Sequence, residues 1–138
     1  MREYHEFSEA LKRLELIHTL GPENLVKFRF VVDLGERSVE EAVRALFRMG
    51  QLALGGKEPP GDDQQLISLL RRRKILSSAQ VRKMRSLLTF RKALLEAKSG
   101  EESISAREVY AAFEKLRKDL TELGRTLYGY LPFEMRER

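Results

Sequence analysis

Residues 105–130 read SAREVYAAFEKLRKDLTELGRTLYGY. Val109, Phe113, Leu116, Leu120, Leu123, Leu127 and Tyr130 recur there in steps of four and three, the spacing that lines one side of an α-helix. Charged residues fill the positions between, so the segment predicts a long amphipathic helix with a seam for packing against long neighbours. Ser105, with Glu108 three residues on, forms a capping box that opens it.

Towards the N-terminus the same period returns. Ser77 or Ser78 caps a helix that runs to about Lys98, buries Val81, Met84, Leu87, Leu88, Leu94 and Leu95, and ends at Ser99-Gly100. A short helix from about Asp63 to Arg73 carries Leu66, Ile67, Leu69 and Leu70, and Lys57 to Asp63, with Pro59-Pro60-Gly61, is the plainest loop. Ser38 and Glu41 read as a second capping box, opening a helix with Val39, Val43, Leu46, Phe47, Gly50 and Leu54 that stops at Gly55-Gly56. Leu25, Phe28, Val31 and Val32 give a helix from Pro22 to about Gly35 its buried side. Tyr4, Phe7, Leu11, Leu14 and His18 do the same for residues 3–20 before Gly21-Pro22 interrupts. No strand-like alternation and no internal repeat is found. The expected fold is all-α, an antiparallel up-and-down bundle of four to five helices forming one domain over residues 1–138.

Composition narrows the function. The chain has no cysteine, which removes disulfides and thiolate metal sites, and its two histidines, His5 and His18, lie too far apart along one helix to share a metal. We expect no metal, no cofactor and no membrane association: no apolar run approaches a bilayer span, nothing resembles a signal peptide, and the expected location is the cytoplasm. His18 reads as a hydrogen-bonded structural histidine near a helix end. Gly50 to Lys57 brushes against a phosphate loop, but its lysine comes one residue late and it closes a helix instead of opening one. No nucleophile elbow and no clustered carboxylates suggest standard hydrolytic machinery.

Charge is distributed unevenly. Residues 64–95 hold nine cations, Arg71, Arg72, Arg73, Lys74, Arg82, Lys83, Arg85, Arg91 and Lys92, and no acid; the remaining 17 basic and 21 acidic residues leave the rest of the chain at −4. Such a block attracts phosphates by counterion release, or an acidic protein surface by steering, unless it is an ordinary solvated face. Arg91 falls near the centre of its helix's apolar stripe. A buried guanidinium needs a carboxylate, a route for its head group to water, or a cleft that takes anions.

The run from Asp63 to Ser78, then Met84 to Leu95, then Ile104 to Tyr110 resembles the HepT-like branch of the HEPN superfamily, a likeness that spans roughly residues 5–130. The resemblance implies a four-helix bundle that forms a homodimer, pairs with a nucleotidyltransferase protein, and carries an RNA-cleaving Phe-Arg-Asn motif leading into a histidine at the dimer cleft. Phe90-Arg91-Lys92 stands where that motif would be, with Arg91 as its arginine. Residues 95–98 hold no histidine, and Lys98 occupies the tyrosine position. The expectation is a binding module for a nucleotidyltransferase partner, RNA or a nucleotide, without ribonuclease chemistry. Two alternatives remain: a divergent metal-independent ribonuclease with Arg91 on the phosphate and Glu96 as base, and a structural subunit that assembles through the Val109–Tyr130 seam and the tail from Leu131 to Phe133.

Overall fold

The computed structural model describes residues 2–27, 29–55, 62–99 and 106–131, with the side chains of 25–30, 91–99 and 106–107 outside that description. Every regular element among the described residues is a helix. The first, α1 (Arg2–Leu20), stops where Gly21 takes φ +80°, and α2 (Pro22–Lys27) starts on the proline, whose fixed φ suits a first helical turn. The third, α3 (Arg29–Ala53), ends just before Gly55 at φ +81°. Asp62 caps α4 (Asp63–Arg72) by accepting the Gln65 N–H at 2.8 Å. Ser77 caps α5 (Ser78–Ser99): its Oγ accepts the Gln80 N–H at 3.2 Å, and Gln80 Oε1 accepts the Ser77 N–H at 3.0 Å. The last is α6 (Ala106–Tyr128).

Side-chain pairs fix the helix directions. Arg13 on α1 donates to Ser38 and Glu41 on α3 while Glu6 faces Arg48 at 3.8 Å, so α1 and α3 run antiparallel. Tyr4 meets Tyr128 and His18 meets Tyr110, which sets α6 antiparallel to α1. Gln80 with Thr126 and Lys83 with Glu122 do the same for α5 and α6. The four long helices therefore alternate in direction along the chain. Short α4 lies against the C-terminal half of α3, where Leu66 and Leu70 approach Gly50. Phe7, Leu14, Ile17, Leu46, Met49, Met84, Leu87 and Leu120 are among the side chains fully buried between them.

Two aromatic rings sit directly over glycines. A Cβ at Gly124 on α6 would lie 2.4 Å from the Phe7 ring, and one at Gly35 on α3 would lie 2.5 Å from the Phe113 ring. The second contact corrects the expected break between Gly35 and Ser38. Gly35 is an interior notch that admits Phe113, and Ser38 is no cap: its hydroxyl donates to the Leu34 carbonyl at 2.7 Å and accepts from Arg13 Nε at 3.0 Å. Glu41, expected to close the capping box, pairs with Arg13 instead. Helix α3 instead runs unbroken from Arg29 through both Gly35 and Ser38, and the helices among the described residues number six, four long and two short, where four or five were expected.

The apolar stripes match with small shifts. On α1 the buried line is Phe7, Ala10, Leu14 and Ile17, with His18 half exposed beside it. On α6, Phe113 to Leu127 are buried as the spacing predicts, but Tyr130 lies past the helix end and is 52% exposed, and Leu131 takes the inward position. The side chains of Leu25, Leu94 and Leu95, together with Phe28, Ser105 and the 57–61 part of the proline loop, lie outside that description.

Candidate nucleic-acid interface

The basic block divides by position once folded. Helix α4 turns Leu66, Ile67 and Leu70 inward, which leaves Arg71 and Arg72 facing solvent. After Arg73 the chain reverses through a Schellman turn, in which the Lys74 N–H donates to the Arg71 carbonyl and the Ile75 N–H to the Leu70 carbonyl, both at 3.0 Å. Ile75 and Leu76 then bury themselves and α5 begins. That turn requires a left-handed residue, and the residue is Lys74 at φ +61° where glycine is usual. A strained, exposed lysine after three exposed arginines is poor folding chemistry, and it places a fourth consecutive cation at the corner.

Within the described residues, Arg71, Arg72, Lys74, Arg82 and Arg85 are exposed and make no ion pair. Arg73 donates to the Leu54 carbonyl at 3.4 Å, tying the corner to the end of α3. Lys83 faces α6 and bonds Glu122 at 2.8 Å, and that hydrogen bond raises the ammonium above its usual value of 10.5. Arg71, Arg72, Lys74, Ser77 and Gln80 rim a shallow depression of about 640 Å³ whose floor is Ile75 and Leu76. Ser77 Oγ accepts its capping bond and keeps its own hydrogen to donate, so the rim offers both charge and directed donors to an anion. The side chains of Arg91, Lys92 and Glu96 lie outside the described residues; the backbone places all three on α5.

A second polar cluster joins α1 to α6. His18 Nδ1 lies 2.6 Å from Glu114 Oε1, the Tyr110 hydroxyl donates to the His18 carbonyl at 3.1 Å, and Arg117 grips Glu114 with two bonds of 3.3 and 3.1 Å. These contacts bear out a hydrogen-bonded structural role for His18 and pin the α1 C-terminus. Burial raises the Glu114 pKa, but the Arg117 hydrogen bonds and the Arg117 and His18 charges outweigh it, so the carboxyl sits below its ordinary value of 4.5. The stabilisation is therefore complete above that ordinary value and is lost as pH falls through the lower folded value. Urea midpoints measured from about pH 6 down to about pH 3 should show a shallower acid decline in Glu114→Gln than in the parent; parallel declines would show that the pair contributes nothing.

No group of three metal-ligating side chains forms among the described residues, and no helix there is long and apolar enough to cross a membrane. Compared with known protein families, curated proteins and solved structures, the chain gives no match.

Proposed function

We propose that the chain is a nucleic-acid-binding module of the HepT-like kind, gripping phosphates at the α4–α5 corner and lacking ribonuclease chemistry. The observation that carries this is the run of consecutive cations through the turn, with Arg71, Arg72 and Lys74 exposed and unpaired and Lys74 held in a strained conformation. Among the described residues no carboxylate pairs with these three, so their field reaches solvent. The alternation of four long helices is the bundle that the HepT-like resemblance implies, and the homodimer and the nucleotidyltransferase partner are proposed on that resemblance alone.

Fluorescence anisotropy with a mixed-sequence RNA of about 20 nucleotides at low salt should give saturable binding, and the RNA should remain intact over a long time course. Lys74→Gly should bind more weakly while gaining about 1 kcal/mol of stability, because glycine relieves the left-handed strain as the charge is lost. Equal RNA affinity in Lys74→Gly would remove the corner from the site. Cleavage by the parent that disappears in both Arg91→Ala and Glu96→Gln would instead favour the ribonuclease. Labelled polyglutamate bound as tightly as RNA would point to an acidic protein partner.

A further inference from the structure

The corner's depression does not end on α5. Its edge residue Gln80 donates through Nε2 to the Thr126 hydroxyl of α6 at 2.9 Å. Thr126 in turn lines a second depression of about 380 Å³ on α6, together with Arg117, Lys118, Thr121, Glu122 and Arg125. The two concavities thus adjoin at the Gln80–Thr126 bond. Resting on the reading above, we infer that they form one track, along which a nucleic-acid backbone runs from Arg71, Arg72 and Lys74 across the α5–α6 seam to Arg125 and Lys118.

The chemistry of the α6 part suits phosphate. Lys118 and Arg125 are exposed and make no ion pair among the described residues. Its acid, Glu122, is answered by Lys83 at 2.8 Å. Thr126 accepts from Gln80, which leaves its hydroxyl hydrogen to donate, as at Ser77. Neither depression is lined by an aromatic side chain, so bases have no stacking platform and the track reads backbone alone. Residues 118 and 125 stand about 10 Å apart along the helix at 1.5 Å per residue, far enough to meet successive phosphates. Arg82 and Arg85 lie outside the track. At 100° per residue they sit 200° and 140° from Gln80, on the side of α5 turned away from α6.

The test compares RNA affinity, by anisotropy at low salt, for the parent, Lys118→Glu/Arg125→Glu, the milder Lys118→Ala/Arg125→Ala, and Arg82→Glu/Arg85→Glu, each checked for a native circular-dichroism spectrum. The α6 glutamate pair should lose about tenfold or more in affinity, the alanine pair less, and the Arg82/Arg85 pair less than either. The alanine pair's salt slope should fall by about one to two units, in proportion to the two contacts removed. A strand of the same length without bases should bind the parent as well as the mixed RNA. An α6 pair that binds within about twofold of the parent, while Arg71→Glu/Arg72→Glu loses binding, would overturn the track and leave the corner standing. Arg71→Glu/Arg72→Glu that binds like the parent would overturn the corner itself, and a weak abasic strand would show that bases are read after all.

Discussion

Gly124→Ala should destabilise the protein by about 3 kcal/mol, the upper part of the range for overpacking a close-packed interior. The new methyl would stand 2.4 and 2.5 Å from atoms of the Phe7 ring, inside van der Waals contact. That ring cannot retreat easily, because Phe7 is 1% exposed and lies in the core shared by α1, α3 and α6. Either the ring leaves its rotamer or α1 moves off α6, and each loses packing on both helices. Phe7→Leu should cost about 1 kcal/mol by itself, and the double variant should cost clearly less than the sum, since the smaller side chain vacates the notch. Chemical denaturation of the four proteins checks this. Additive effects would mean that ring and glycine do not meet.

The second large effect is on binding. Arg71→Glu/Arg72→Glu/Lys74→Glu should lower RNA affinity by about 100-fold or more at low salt, with an unchanged helical spectrum. All three side chains are exposed and without ion pairs, so their reversal breaks no bond that holds the fold. It removes three phosphate contacts and sets three like charges against the same backbone. Arg73 is kept out of this variant because it bonds the Leu54 carbonyl, and its loss would confuse binding with stability.

How far the sequence carried this picture is clearest at particular residues. The stripe from Phe113 to Leu127 was legible because one helix buries one face, and period alone locates it. Local stop chemistry placed Gly21 and Gly55 at helix ends, where both take positive φ. It failed at Gly35 and Ser38, whose local chemistry reads as a stop and a cap. What overrides it is a ring from Phe113, 78 residues further along the chain, together with Arg13 from another helix, and neither contact leaves a local trace. Tyr130 kept the seam's spacing but fell beyond the helix end, where spacing no longer sets direction.

The candidate site was half legible. Arg71, Arg72, Arg73 and Lys74 stand out as a run, and a run survives in any fold that exposes it. Period places Arg82 and Arg85 on a different side of α5 from Lys83, but only the pairing of α5 with α6 shows which side faces a neighbour. That pairing turns Lys83 to a carboxylate and brings Lys118, Arg125 and Thr126 beside the corner. In sequence those three are ordinary surface residues of an amphipathic helix, and nothing marks them until Gln80 reaches Thr126.

The central claim is that exposed, unpaired cations at the α4–α5 corner neutralise phosphates, and its signature is the salt dependence of binding. RNA affinity should be measured for the parent and Arg71→Glu/Arg72→Glu/Lys74→Glu from about 50 to about 300 mM salt. The account predicts that the logarithm of the parent's affinity falls with the logarithm of salt at a slope of about −3, and that the variant shows no measurable binding across the range. A slope near zero in the parent, or a variant that binds with the parent's affinity and slope, would contradict it.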